Sequence, residues 1–283
     1  MNTVAKPTIL TVTTPERSGK TVCAMNLALT LAQLGHRTLL VDLAPMGRLT
    51  SHLVPERQST DTAANLTLDR NRLSCSTVDG SLGQVLLGGA AAPRLVGAES
   101  WDWDLDIPDI PLQLWPWTVD SLLLERILCA EEERGKFQVL RETLLRCGSS
   151  FEYLVLDCPR VGRATVDQAV VAGDLCISPF IPGPGVADRL DDFVGTLMDF
   201  IVSDRDVHPW CFLANRVDLS AGETMESLLS VERRFPGLLL PPLVPDGAEV
   251  LLTLPHSPGV MARRRVFPRV SAEMIARIQR REA

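Results

Sequence analysis

Apolar residues fall along this chain in short unbroken runs, separated by longer stretches in which they recur every three or four positions. Four runs, Thr8 to Thr13, Arg37 to Asp42, Tyr153 to Asp157 and Leu175 to Phe180, are rich in leucine and β-branched residues. They predict strands buried on both faces. A fifth strand is expected at Trp210 to Asn215 and a sixth near Leu238 to Val244. Between them Val22–Leu34, Leu122–Cys147 and Asp188–Ser203 carry helical periodicity. Strands alternating with helices predict an α/β fold, a doubly wound, mostly parallel sheet flanked by helices. Ligands of such sheets sit at the carboxyl ends of the strands.

Residues 55 to 120 break the pattern with polar stretches, a small-residue run from Gly88 to Pro93, and the acidic-aromatic stretch Trp101 to Asp109. They predict an irregular insertion in a single domain spanning 1–283. The tryptophans either pack on the body or present a partner-binding loop. Hydrophobic residues make up 46% of the chain, enough for a large core. The net charge of −7 excludes a uniformly basic nucleic-acid coat but leaves room for a local basic patch. Seven cysteines are scattered without a Cys-x-x-Cys pair, and the four histidines have no metal-ligand spacing, so neither a disulfide frame nor a zinc site is expected. No signal-like segment opens the chain, and no apolar run reaches the roughly 18 residues of a membrane span, so a cytoplasmic protein is expected.

The chemistry concentrates after the first strand, where Thr14-Pro15-Glu16-Arg17-Ser18-Gly19-Lys20-Thr21 leads into the first helical run. A strand, a turn ending Gly-Lys-Thr and a helix suit a phosphate-binding loop: backbone N–H groups face a polyphosphate, Lys20 reaches its outer phosphates, and the Thr21 hydroxyl holds Mg²⁺. The loop is atypical, with Thr14, Glu16 and Arg17 where glycines are usual. The second strand ends at Asp42, followed by Ala44, Pro45, Gly47 and Thr50, and the third ends in Asp157-Cys158-Pro159-Arg160. An acidic residue closing a buried strand beside such a loop commonly holds Mg²⁺ through water, which makes Asp157 the Walker B candidate. A helix cap is its plainer reading. There is no Gly-x-Ser-x-Gly elbow and no Gly-x-Gly-x-x-Gly turn, so neither an α/β hydrolase nor a dinucleotide fold is expected.

Together these three segments resemble the ParA/MinD family of deviant Walker-type P-loop ATPases, which carry Lys-Gly-Gly-x-Gly-Lys-Thr, Asp-x-Asp-Pro-Gln-Gly-x-x-Thr and apolar-Asp-x-Pro-Pro. Gly19, Lys20 and Thr21, then Asp42, Pro45, Gly47 and Thr50, then Asp157 and Pro159 match. Leu112 to Pro116 and Ala169 to Phe180 resemble two further family strands. The resemblance implies ATP and Mg²⁺ as cofactors and a homodimer with nucleotide sandwiched between protomers. It assigns nucleotide contacts to Ser18, Gly19, Lys20, Thr21 and Val22, with Asn215, Pro245 and Asp246 around the base. Thr21, Asp42 and Asp157 would serve Mg²⁺, and Lys20 and Asp42 would be the catalytic pair. The implied function is a dimerising switch that positions or partitions cargo, either plasmid or chromosomal DNA or a polar or secretion complex. A bacterial protein at the nucleoid or the cell pole, with a protein partner of unknown identity, is expected.

The departures bear on chemistry. Pro15 replaces the signature lysine, Ala44 the second aspartate, and Arg160 the second proline. Phosphoryl transfer depends on positioning and charge neutralisation, so the lost lysine and the lost aspartate should each cost roughly 3 kcal/mol of barrier. Hydrolysis is therefore expected to be weak or absent. Glu16 brings an unfavourable charge near the phosphates unless it turns outward, and Arg17 is a candidate compensating cation. The alternative is a pseudo-ATPase scaffold that recruits protein partners without turnover.

At the carboxyl end, Arg263, Arg264, Arg265, Arg269, Arg277, Arg280 and Arg281 stand against only Glu273 and Glu282. Val270, Met274, Ile275 and Ile278 share one face of a helix expected at about 268–283. Three readings stay open: a helix closing the sheet, a non-specific DNA surface made by Arg263, Arg264, Arg265, Arg277, Arg280 and Arg281, or a membrane anchor. DNA is preferred to membrane because no protruding Phe/Trp/Leu face follows the body.

Overall fold

The computed structural model describes residues 6–44, 47–54, 80–86, 92–93, 95–98, 110–116, 124–160, 163–201, 210–240 and 269–278. Seven strands form one sheet: β1 (Thr8–Val12), β2 (Thr38–Asp42), β3 (Val96–Gly97), β4 (Leu112–Trp115), β5 (Tyr153–Asp157), β6 (Leu175–Phe180) and β7 (Trp210–Ala214). Their order is β3-β4-β2-β5-β1-β6-β7, and every pairing is parallel except the short β3–β4 edge. Successive side chains of each central strand enter opposite cores, as the two-residue period requires. Leu10, Leu40, Val155 and Ile177 pack on one face, and Ile9, Leu39, Val41, Leu154 and Leu156 on the other. Apolar residues on both sides of a strand are what produced the unbroken runs in the sequence.

The first face is covered by α1 (Lys20–Gln33), α2 (Arg48–Leu53) and a helix at residues 269–278, α9. The opposite face carries α3 (Leu82–Leu86), α4 (Leu124–Glu133), α5 (Val139–Cys147) and α6 (Arg163–Ala172). Next to β6 and β7, α7 (Val186–Ile201) and α8 (Gly222–Arg234) enclose a third cluster around Phe180, Phe212 and Val231. The expected doubly wound, mostly parallel sheet flanked by helices is thus the observed fold.

Local chemistry explains where the boundaries fall. α1 stops because Gly35, at φ 93°, turns its N–H to Ala32 O (2.9 Å) while His36 N–H reaches back to Leu31 O (3.1 Å). The expected run Leu122–Cys147 is broken in the same way. Gly135, at φ 75°, donates to Glu132 O (2.8 Å) and Lys136 to Glu131 O (2.9 Å), so one periodic stretch becomes α4 and α5. Of the expected sixth strand, the described residues show one parallel bridge, Leu239 to Phe212, and residues 241–244 lie outside the described set. The irregular stretch contributes α3, β3 and β4; the run from Trp101 to Asp109 lies outside the described residues. No described helix is long and apolar enough to cross a membrane.

Gly148 gives a direct test of packing behind β5. A Cβ there would stand 2.7 Å from Leu144 O and 2.8 Å from Leu154 Cδ2, with backbone on one side and core on the other. Gly148→Ala is expected to destabilise the fold by about 1–3 kcal/mol, read as a lower urea midpoint at unchanged slope.

Candidate functional site

The carboxyl ends of β1, β2 and β5 lie side by side, with Val12 opposite Asp157 and Asp157 opposite Asp42 in register. The turn after β1 therefore opens directly over two carboxylates. Its start is pinned by the sheet: Thr13 N–H donates to Ile177 O (3.0 Å), and Thr13 O accepts the Ser178 hydroxyl (2.7 Å). That hydroxyl also accepts the Trp210 indole N–H at 2.9 Å. The turn ends at Gly19, held at φ 86°, which a Cβ would strain, and its carbonyl accepts Cys23 N–H at 2.9 Å in the first turn of α1. Ahead of that helix, Ser18 O accepts the Asn215 amide at 2.7 Å.

Lys20 is buried and points back into the turn, its Nζ donating to Thr14 O (2.9 Å) and Glu16 O (2.8 Å). Burial lowers its pKa, and the nearby Asp157 carboxylate works against that shift. The lysine is thus a buried cation held by backbone carbonyls, facing a carboxylate without an ion pair to tie it down.

The two aspartates differ sharply. Asp42 is satisfied: Oδ2 accepts Thr50 N–H (2.9 Å) and Thr50 Oγ1 (2.8 Å), and Oδ1 accepts Ala44 N–H at 3.1 Å. Burial raises its pKa, while the Thr50 and Ala44 hydrogen bonds lower it. Asp157 is 1% exposed and neither oxygen accepts a well-formed hydrogen bond. Burial pushes its pKa upward and the Asp42 charge adds to this; the Thr21 hydroxyl and Lys20 act in the opposite direction without reversing it. Ser18 Oγ, Thr13 Oγ1 and Thr14 Oγ1 are also buried without partners. Buried polar oxygens are normally satisfied. Five at one turn, around a left-handed glycine and a helix N-terminus, fit an anionic ligand with a divalent cation.

The residues picked out from sequence are accounted for as follows. Ser18, Gly19, Lys20, Thr21, Val22, Asp42, Asp157 and Asn215 meet at this end of the sheet. Pro245 and Asp246 lie outside the described residues, as do Pro45 and Met46. Arg17 is exposed and makes no hydrogen bond or ion pair with the described residues. Glu16 turns outward to Arg189 of α7. In α9, Val270 and Met274 are fully buried, and Arg277 pairs with Glu273 (3.0 Å) and donates to Leu239 O at 3.3 Å. That helix closes the first face, and Arg277 has a structural task within it. Arg263, Arg264, Arg265, Arg280 and Arg281 are outside the described residues.

Three contributors were missed. Thr50 matches a motif position but also straps Asp42, and the Asp42-to-Thr50 spacing is the signal for it. Ser178 looked like one more small residue in a buried strand. Arg189 sits in a helix with no motif, and nothing in the sequence couples it to Glu16.

A parallel sheet with a left-handed Gly19 turn, a buried lysine and paired aspartates at the strand ends defines a P-loop nucleotide-binding protein. Residues 9–260 match the family model described as the CobQ/CobB/MinD/ParA nucleotide binding domain, and the chain belongs to that family. Over 162 residues it is 28% identical to the chromosome partitioning protein ParA of Myxococcus xanthus; the match covers 57% of this chain and 47% of that protein, about half its length. Among solved structures, cobyrinic acid a,c-diamide synthase from Mycobacterium smegmatis with bound ADP and magnesium superposes at a TM-score of 0.66, with 22% identity and 92% of each chain covered. A putative plasmid partition protein from Borrelia burgdorferi bound to AMPPNP gives 0.66 at 15% identity, covering 95% of this chain and 100% of that one. Both carry the same fold.

Proposed function

We propose that the chain binds ATP with Mg²⁺ and acts as a nucleotide-dependent dimerising switch that positions or partitions cargo. The observation that carries this reading is Asp157, a buried carboxylate whose oxygens accept no well-formed hydrogen bond, beside Thr21 and Lys20. A bound Mg²⁺ would neutralise phosphate charge. Lys20 would exchange the Thr14 and Glu16 carbonyls for phosphate oxygens, and α1 would offer its first N–H groups to the same anion. Thr21 and Asp157 would serve the cation, with Asp42, bonded to Thr50, behind them. Asn215 would link base and phosphate regions, its amide N–H already engaged on Ser18 O. The similarity to a chromosome partitioning protein supports partition of DNA as the cargo class, and Arg263, Arg264, Arg265, Arg280 and Arg281 are the candidate DNA contacts.

A second reading, a scaffold that recruits protein partners without turnover, is favoured by Pro15 and Ala44, which leave the site without the lysine and the aspartate the family uses. ATP binding and oligomeric state separate the two. The switch predicts that ATP with Mg²⁺ converts the protein from a lighter to a dimeric species in light scattering, whereas ADP does not. A scaffold gives one mass under all conditions and no turnover, with or without DNA. Absence of ATP binding at millimolar concentration rejects the switch.

A further inference from the structure

Glu16 occupies a turn position where glycine is usual, and its two ends face opposite ways. Its carbonyl accepts Lys20 Nζ at 2.8 Å, inside the turn. Its carboxylate leaves the turn and accepts Nε–H of Arg189, which lies in the first turns of α7. The same guanidinium donates through Nη1 to Pro184 O at 2.6 Å. Gly185, at φ 67°, leaves it room, since a Cβ there would come within 3.3 Å of Nη1. A separate element thus grips the side chain of the residue whose backbone seats the lysine.

We propose that Arg189 is a positioning residue for nucleotide binding: it holds the Glu16 carboxylate off the phosphate path and, through the Glu16 backbone, fixes the resting seat of Lys20. The inference deepens the reading of this turn as a triphosphate site and rests on it. Left free, a carboxylate on this turn would meet a ligand carrying several negative charges, and the repulsion would grow with each phosphate. Neutralised and displaced by a guanidinium fixed at a second point, it costs the site little. Glu16 and Arg189 are 28% and 47% exposed, and an ion pair that open contributes little to folding. The pair is therefore better explained by what it keeps away from the phosphates than by what it adds to stability.

The test is titration of the full chain with ATP, ADP and AMP in Mg²⁺, comparing wild type, Arg189→Ala, Arg189→Lys, and Glu16→Gln with and without Arg189→Ala. Arg189→Ala should weaken ATP binding about tenfold at low salt, ADP less and AMP hardly, with the melting temperature moving by under about 2 °C. Glu16→Gln should restore ATP affinity in the Arg189→Ala background, because the charge that repels is gone. Arg189→Lys should recover part of it, since lysine keeps the charge but not the forked geometry. An unchanged ATP affinity in Arg189→Ala overturns the proposal, as does an equal loss for all three nucleotides or a loss that Glu16→Gln leaves in place. Failure of wild type to bind ATP overturns the triphosphate reading itself, and is seen before any substitution is made.

Discussion

Asp157→Asn should raise the melting temperature of the nucleotide-free protein and, in the same variant, remove the effect of Mg²⁺ on nucleotide affinity. The two results have one cause. Asp157 is buried beside Asp42 with neither oxygen well bonded, and its carboxyl is held above the usual carboxylate range by burial first and Asp42 second. At neutral pH the unfolded chain ionises freely while the folded chain resists, so folding carries a penalty that the neutral amide lacks. A gain of about 2 kcal/mol, or roughly 5 °C for a domain of this size, is the expected order. The pH dependence follows from the sign. A carboxyl whose folded pKa is raised binds more protons in the folded state, so acidification from about pH 8 should stabilise the wild type. That gain should be smaller in Asp157→Asn. Thermal melts between pH 6 and 8, with ATP titrations in Mg²⁺ and in EDTA, check both halves. An asparagine variant that melts lower and keeps full Mg²⁺ dependence would show that Asp157 is not the cation's carboxylate.

Lys20→Ala should have the opposite effect on stability and the largest effect on binding. Its ammonium is the only described side chain donating into the turn's Thr14 and Glu16 carbonyls, and it offsets the Asp157 charge. Removing it leaves two carbonyls unmatched and a buried carboxylate without its nearest cation, so the nucleotide-free protein should melt lower. On the ligand side it removes charge-assisted bonds to phosphate, worth about 1.5–3 kcal/mol, or roughly 10- to 100-fold in ATP affinity. AMP, lacking the outer phosphates, should be much less affected. Calorimetric titration with both nucleotides reads the difference. Equal ATP affinity in Lys20→Ala and wild type would mean the turn does not hold a triphosphate.

How much of this was legible in the sequence depends on the range of the interaction. Strands β1, β2, β5, β6 and β7 were readable because parallel strands buried on both sides need apolar residues at every position, and those are contiguous in the chain. The order Gly19-Lys20-Thr21, Asp42, Asp157 was readable because strand ends carry the site and each motif is local. The break between α4 and α5 was missed although Gly135 signals it, since apolar spacing continues on both sides of the turn. β3 was beyond reach: Val96–Gly97 is two residues long and owes its pairing to β4 rather than to its own composition. Arg189 was equally out of reach, because 173 residues separate it from Glu16 and only the fold brings them together. The second task of Arg277 was hidden in the same way: a basic stretch gives no sign that its half-buried guanidinium reaches the Leu238 and Leu239 carbonyls.

Strands with greasy side chains above and below carry no polar–apolar alternation to mark which face is which, so that pattern does not align β2 with β5. The polar groups at the two rims do the aligning. At one rim the Glu152 carboxylate accepts Arg37 N–H at 3.0 Å, and at the other Leu43 N–H donates to Asp157 O at 3.0 Å. Asp42 and Asp157 are the last pair of this register, so the rim bonds bear on how they line up. Substitutions at Glu152, at the opposite end of the strands from the two acids, are therefore expected to affect how faithfully those acids are brought level.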